Sequence, residues 1–564
     1  MSVYYIGFSV TGHDPAFAIV DGEGRLLFAE ATERYVQDKR AWGIPPDHFD
    51  HLAGALRRHC ADATRLVAAA TWAKPRPASD APGDGGAERS FGIVDRIQAH
   101  WMREQQRRAF EFYGLNLPLI APGVPIERRA YDHHLCHAAY AAASSPYEDA
   151  QCLIVDGEGE VGSVSLFAMC GRRLERRWRS FGPGSLGFFY GFVTQACGFD
   201  WRLGEEWKTM GLAAFGTPQP DAVALLERLV GLERGRPRAA PIETWDEVAA
   251  ALAPWRREPG EDVLRGADLS ASGQAAYAAL ADGILEAAEL VPEGNLVLGG
   301  GCALNSSYNG AIRRRFGLGG VHIPSAPADD GNAAGAALLA WQEDRGGPPL
   351  PRGWDNPYLG TAPDLKALER IVARGGFRRV TEIADGDTGT IAERLAGGAI
   401  LGVMRGRAEF GPRALGNRSI LADPRSPEMK DRLNRDVKGR EPYRPFAPVV
   451  LEDQAEHWFE CADPSPYMSF TRRWRAEKRA QVPAVVHADG TGRLQTVNAE
   501  AAPWLASLTA ELGAVTGVPI VLNTSLNVMG KPIAHSVEDA VTILATTGLD
   551  ALLIENVLIE KAAA

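Results

Sequence analysis

Residues 3–30 read VYYIGFSVTGHDPAFAIVDGEGRLLFAE, and residues 152–178 read CLIVDGEGEVGSVSLFAMCGRRLERRW. The two stretches divide in the same way. In the first, apolar runs at 5–10, 16–20 and 26–29 are separated by a turn at Gly12 and another at Gly22 and Gly24. In the second, runs at 152–155, 163–169 and 174–178 are separated by turns through Gly157 and Gly159 and at Gly171. Short apolar runs broken by glycine turns predict antiparallel strands. An acidic residue stands near each first turn, Asp14 in one half and Asp156 in the other.

A repeated three-strand opening, each followed by helical patterns, reads as a duplicated ASKHA fold (actin, sugar kinase, Hsp70). In that fold two ribonuclease-H-like halves close on a nucleotide. Further along, the apolar-small pattern at about 265–290 predicts a packed helix. The strand at 295–298 then runs into Gly299-Gly300-Gly301-Cys302-Ala303-Leu304-Asn305. A glycine-rich strand end opening a helix lets backbone N–H groups approach an anion or nucleotide, although an ordinary strand–helix turn reads the same way. Gly and Pro crowd residues 343–357 and predict a linker. The domains expected are therefore 1–345 and 358–564, the second a further α/β domain, with surface insertions at 74–90 and 231–262. Gly157-x-Gly159-x-x-Gly162 resembles a dinucleotide fingerprint, but strand-like residues follow it where a helix must begin, so it is read as hairpin turns.

The chain has 564 residues, net charge −11, 45% hydrophobic and 23% charged residues, which allows more than one sizeable core. An acidic chain is not drawn to nucleic acid by bulk charge. The seven cysteines are scattered and form no C-x-x-C pair, which speaks against a disulfide scaffold and for a reducing compartment. With no run of about 18 apolar residues and no signal-like start, a cytoplasmic protein without membrane contact is expected.

His133 and His137 stand four apart, so a helix would place both imidazoles on one face where they can share a metal. A pair of partly buried histidines bonded to backbone is the alternative. His134 occupies the place where a zinc protease needs glutamate, which disfavours that mechanism. Asp156 and Asp329 are the carboxylates available to complete the site, and two His with Asp suit a first-row metal. His13, in the first hairpin turn beside Asp14, is of the residue type suited to a general base, and a plain turn histidine with Asp14 capping the backbone is the alternative. The second domain carries Arg405, Arg407, Arg413, Arg418, Lys438, Arg440, Arg444 and Arg493 among Gly, Pro and Asn. Such guanidinium forks on rigid loops suit phosphates.

These motifs, taken together, resemble the O-carbamoyltransferases of antibiotic and nodulation-factor biosynthesis from end to end. The matching stretches are residues 12–16, 133–137 with Asp156-Gly157, 205–213, 300–305, 329–338, 410–423, 438–448, 487–493 and 522–527. The resemblance implies an N-terminal ASKHA domain and a C-terminal YrdC-like domain with two active sites. The YrdC-like domain would convert carbamoyl phosphate to carbamate and adenylate it with ATP and Mg2+. The carbamoyl-adenylate would then pass to the ASKHA domain, where an acceptor hydroxyl attacks. By the same match His133, His137, Asp156 and Asp329 hold a divalent metal, Fe2+ in the first place and Zn2+ or Mn2+ otherwise. His13 is the base or an orienting group; Gly300, Gly301 and Asn305 form the nucleotide loop. Arg413, Arg418, Lys438, Arg444 and Arg493 hold carbamoyl phosphate and ATP, and Asn523, Ser525 and Asn527 line the adenylate site. Met529 and Lys531 depart from the family, in which Arg and Glu follow this last motif, and 30–40 departs from its usual glutamate-rich helix start.

The function expected is carbamoylation of a hydroxyl on a small-molecule acceptor, a natural product, by a homodimer with no nucleic-acid or membrane partner. Competing readings are threonylcarbamoyl transfer to tRNA and a non-catalytic nucleotide-binding ASKHA regulator. Hydrogenase-maturation carbamoylation would need an acylphosphatase domain and C-x-x-C motifs, which this sequence lacks.

Overall fold

The apolar runs between the N-terminal glycine turns form strands β1 (Val3–Ser9), β2 (Ala16–Val20) and β3 (Leu26–Ala31), paired antiparallel in sequence order. Strands β4 (Arg65–Thr71) and β5 (Ile126–Tyr131) extend the other side of β1 in parallel, giving the order β3-β2-β1-β4-β5. The repeat makes the same sheet again from β6 (Ala150–Val155), β7 (Val164–Cys170) and β8 (Arg173–Arg179). A separate hairpin follows, β9 (Val230–Glu233) with β10 (Arg236–Ala239). Then β11 (Asn295–Gly299) and β12 (Gly320–His322) add in parallel beside β6, giving β8-β7-β6-β11-β12. Strand order and strand sense agree between the two sheets, so the α/β duplication read from the glycine turns is present in the backbone. The computed structural model describes residues 2–73, 113–258, 260–461 and 463–561. The expected insertion at 74–90 lies outside the described residues.

Two compact units are separated, Met1–Glu33 with Arg40–Asn305 and Ala311–Asp355, and Arg34–Lys39 with Ser306–Gly310 and Asn356–Ala564. In the first, the helix Asn332–Asp344 is rich in alanine and has a thin profile. A Cβ at Gly335 would stand 2.0 Å from the Cys136 carbonyl oxygen, so only glycine lets this helix lie against helix His133–Ala143. That close approach brings the residues just before the helix, Asp329 among them, up to the histidines.

The segment 231–262, expected as a surface insertion, is in part regular structure. It holds most of the β9–β10 hairpin and the helix Ile242–Ala251. Trp245 and Val248, three apart on that helix, form a buried apolar face, which the density of Pro, Gly and charge masks in the sequence. The Gly/Pro linker is pinned as well as irregular: Trp354 is buried and its indole N–H donates to the Gly24 carbonyl at 3.0 Å.

The second unit is built on nine strands, β13 (Phe377–Glu382), β14 (Leu401–Met404), β15 (Arg418–Ala422), β16 (Ala447–Leu451), β17 (Phe470–Arg473), β18 (Thr491–Val497), β19 (Ile520–Ser525), β20 (Ala551–Ile554) and β21 (Val557–Lys561). Their order is β13-β21-β20-β14-β15-β19-β16-β18-β17. Neighbouring residues go to opposite faces. Ile420, Val450 and Leu522 join one core, while Leu421, Val449 and Val521 join another. Both faces of the central strands are therefore covered, which explains their continuous apolar runs. Among the described residues no helix is long and apolar enough to cross a membrane.

Candidate functional site

Asp132 starts the helix His133–Ala143 by accepting the Leu135 N–H at 2.9 Å. A side-chain cap of this kind contributes about 1 kcal/mol. The i, i+4 spacing then puts the Nε2 atoms of His133 and His137 3.3 Å apart. Asp156, at the end of β6, brings Oδ2 to 3.0 Å from His133 Nε2 and 3.3 Å from His137 Nε2. Asp329 brings Oδ1 to 3.4 Å from each. All four side chains are buried. Ligands at about 2.0–2.1 Å from an ion in tetrahedral directions stand roughly 3.3–3.4 Å from one another. The five separations measured here, 3.0–3.4 Å, fit an ion of that size. The residues fit a first-row metal by donor type as well as by spacing.

Gly300 and Gly301 are placed behind this cluster. The Gly301 N–H donates to Asp156 Oδ1 at 2.7 Å, which turns Oδ2 toward the histidines. Gly300 has φ +87°, and a Cβ there would stand 2.3 Å from the Val155 carbonyl oxygen. The glycine loop thus holds a carboxylate. Asn305 exchanges two hydrogen bonds with Gln274, at 3.1 and 3.2 Å.

Sequence reading missed the residues that hold His133. Its Nδ1 meets Thr71 Oγ1 at 3.0 Å and Asn332 Nδ2 at 3.2 Å. Glu160 accepts its backbone N–H at 2.8 Å, and Trp72 stacks on its ring with centroids 4.5 Å apart. No motif marks these positions, because sequence separations of 27 to 199 residues are closed only by the fold.

Burial alone would depress both histidines, but the opposing carboxylates win. The Asp329 charge and the hydrogen bond to Asp156 raise His133 well above its ordinary pKa, and Asp156 raises His137. Both carboxylates are held below the usual range by the same pairing against their own burial. Burial pushes His134 down to about 3, and its Nδ1 is 2.8 Å from Ser165 Oγ, so it is neutral and engaged elsewhere.

A metal here would displace protons from His133 and His137, since only neutral imidazole coordinates. With both histidines raised by their carboxylates, affinity for such a metal would be weakest at low pH and keep rising as pH passes the ordinary histidine value of about 6.5. Titration calorimetry in two buffers of different ionisation enthalpy is expected to show net proton release on metal binding at pH 7. Buffer-independent heats would contradict this.

His13 sits in the β1–β2 turn, its Nδ1 2.9 Å from Asp14 Oδ2 and 3.7 Å from Asp329 Oδ2. Arg40 grips Asp14 Oδ2 through Nε at 3.2 Å and Nη2 at 2.9 Å. Trp42 packs on the His13 ring, centroids 5.0 Å apart.

In the second unit the basic set divides in two. Arg418 is fully buried and donates to the carbonyls of Arg405, Asn417 and Thr361 at 2.9, 2.8 and 2.7 Å. Glu409 Oε1 accepts the N–H groups of Leu415, Asn417 and Arg418 at 2.7, 2.9 and 3.1 Å. Together they staple the loop that presents Arg413. Asn523 donates to Ala414 O and Gln495 Oε1 at 3.1 and 2.8 Å, from behind the same loop. Arg407 likewise donates to the Gly360 carbonyl at 3.1 Å.

Arg405 donates to Asn556 Oδ1 at 3.0 Å, whereas Arg413, Lys438, Arg440, Arg444 and Arg493 gather. Burial and then Arg413, Arg440 and Arg444 push Arg493 well below its ordinary pKa. Burial and Arg444 do the same to Arg440, and burial lowers Arg413 to about 10. Lys438, at the end of the π-helical turn Leu433–Lys438, is depressed by burial, Arg440 and Arg444. Its ammonium donates to the Ser525 and Asn527 carbonyls at 2.7 and 2.8 Å, so Lys438, Ser525 and Asn527 form one unit. Arg440 belongs to this group although the family match did not include it among the phosphate ligands.

The family model described as carbamoyltransferase N-terminus matches residues 125–338, and that described as carbamoyltransferase C-terminus matches residues 392–561. An uncharacterized protein of Synechocystis sp. is 35% identical over 99% of this chain and 97% of its own length. Nodulation protein U of Sinorhizobium fredii is 30% identical over 92% of this chain and 93% of that protein. Nodulation protein NolO of Bradyrhizobium diazoefficiens is 36% identical over 76% of this chain and 79% of its length.

Proposed function

The chain belongs to the carbamoyltransferase family and is an enzyme of carbamoyl transfer, and we propose that it works in two steps at the two sites above. In the C-terminal unit, carbamoyl phosphate and water give carbamate and phosphate. Carbamate oxygen then attacks the α-phosphorus of Mg2+-bound ATP, giving carbamoyl-adenylate and pyrophosphate. In the N-terminal unit an acceptor hydroxyl attacks the carbamoyl carbon, forming the O-carbamoyl product and releasing AMP. Adenylation supplies the leaving group that carbamate lacks.

The observation that carries this reading is the group of half-buried Arg413, Arg440, Arg444 and Arg493 with buried Lys438. Like charges that depress one another in this way are best relieved by an anion between them. Arg413, Arg440, Arg444 and Arg493 would grip phosphate oxygens, and Lys438 would hold the 525–527 loop against the adenylate. Arg418 and Asn523 would act by shaping the loop.

In the N-terminal unit His133, His137, Asp156 and Asp329 would hold a divalent metal, Fe2+ being our first choice. When bound, it supplies positive charge that stabilises the departing phosphate. His13 would be held at Nδ1 by Asp14 Oδ2 at 2.9 Å and Arg40 Nη2 at 3.1 Å, and in the tautomer whose Nδ1 proton goes to Asp14 its Nε2 takes the proton of the acceptor hydroxyl. Arg40 fixes Asp14 for that purpose, and Trp42 fixes the ring. The acceptor is read as a small hydroxylated molecule.

The direct test uses labelled ATP, Mg2+ and carbamoyl phosphate. Pyrophosphate is expected, with AMP following as carbamoyl-adenylate is passed to an acceptor or to water, and neither forms when carbamoyl phosphate is left out. ADP as the nucleotide product would overturn the adenylation step.

A further inference from the structure

Asn332 is fully buried, yet its side-chain Oδ1 has no hydrogen-bond partner. An orphaned buried carbonyl costs stability, and native cores retain few of them. The other end of the same amide, Nδ2, lies 3.2 Å from His133 Nδ1. A donor placed there suits only a neutral imidazole whose proton is on Nε2, toward Asp156 Oδ2 at 3.0 Å, and is set against the Nδ1 proton of the charged ring.

Coordination reverses these demands. A neutral imidazole that gives its Nε2 lone pair to a metal carries its proton on Nδ1. That N–H then needs acceptors. Thr71 Oγ1, at 3.0 Å, is one. The Nδ2 group of Asn332 is not, because it would set donor against donor. Half a turn of the amide about its last bond exchanges the two ends and brings the unpartnered Oδ1 onto the ring.

We propose that Asn332, with Thr71, is the positioning pair for the metal centre: its amide turns to accept the His133 Nδ1 proton and so fixes the metal-binding tautomer. The proposal rests on the metal reading above. Asn332 follows Asp329 by three residues and begins the helix Asn332–Asp344, so one short segment supplies both a ligand and the support of another ligand.

The test measures Zn2+ affinity of the full chain by competition with a chromophoric chelator, with circular dichroism to confirm folding. Asn332→Leu keeps the size and removes the acceptor, and its Zn2+ affinity is expected to fall about 10–100-fold, the range for losing an outer-shell partner. Asn332→Asp has an acceptor at either end and is expected to bind at least as tightly as wild type. Leucine and aspartate variants weakened alike would overturn the proposal, since only packing would then be at stake. So would a leucine variant within twofold of wild type. If Asn332→Leu fails to fold, Asn332→Asp decides alone: retained affinity supports the proposal and loss removes it. Wild-type protein that takes up neither Zn2+, Fe2+ nor Mn2+ removes the metal centre itself, a failure distinct from equal binding by wild type and variant.

Discussion

His137→Ala is expected to cut carbamoylation of an acceptor about a thousandfold while leaving carbamoyl phosphate-dependent exchange of pyrophosphate into ATP within a few-fold of wild type. His137 Nε2 lies 3.3–3.4 Å from three other prospective ligand atoms, and losing it removes one corner of the cluster. Charge stabilisation by a bound metal amounts to several kcal/mol in the transition state. At about 1.4 kcal/mol per factor of ten, its loss corresponds to roughly three orders of magnitude. Metal affinity measured on the same variant should fall in step. The adenylation site belongs to another unit with its own core, so pyrophosphate exchange has no reason to follow.

Arg444→Ala is expected to do the opposite. Carbamoyl phosphate-dependent AMP formation should drop about a hundredfold in kcat/KM, in keeping with about 1.5–3 kcal/mol for a hydrogen bond to a charged group. Metal binding in the N-terminal unit should be unchanged. Arg444 is also one of the charges that depress Arg440, Arg493 and Lys438. Removing it relieves repulsion in the ligand-free protein, so the melting temperature without ligand should hold or rise. Pyrophosphate should then stabilise the variant less than wild type. A variant that loses activity and also melts much lower would mean that Arg444 is structural.

The duplication was legible because strand period and glycine turns are local. Residues 3–31 and 150–179 each carry a whole three-strand meander in one continuous stretch. The histidine pair was legible for the same reason, since four residues make one helical turn. Asp156 and Asp329 could be named as candidates, but their approach to the histidines depends on Gly301 and Gly335, whose role appears only when distant segments pack. Arg413 and Arg418 show the limit most clearly. They stand five residues apart in one loop and look alike in sequence. One is offered to the cation group, whereas the other spends its donors on carbonyls contributed by residues 361, 405 and 417. That division is decided by which side of the loop is buried, and no spacing rule encodes it.

The central claim is that activation and transfer are separate chemistries at separate sites. Exchange of labelled pyrophosphate into ATP, run on His137→Ala with carbamoyl phosphate and Mg2+ but no acceptor, tests it most directly. The account predicts exchange close to the wild-type rate, dependent on carbamoyl phosphate. Exchange present in wild type and lost in His137→Ala would contradict it, because adenylation would then need the histidine–carboxylate cluster.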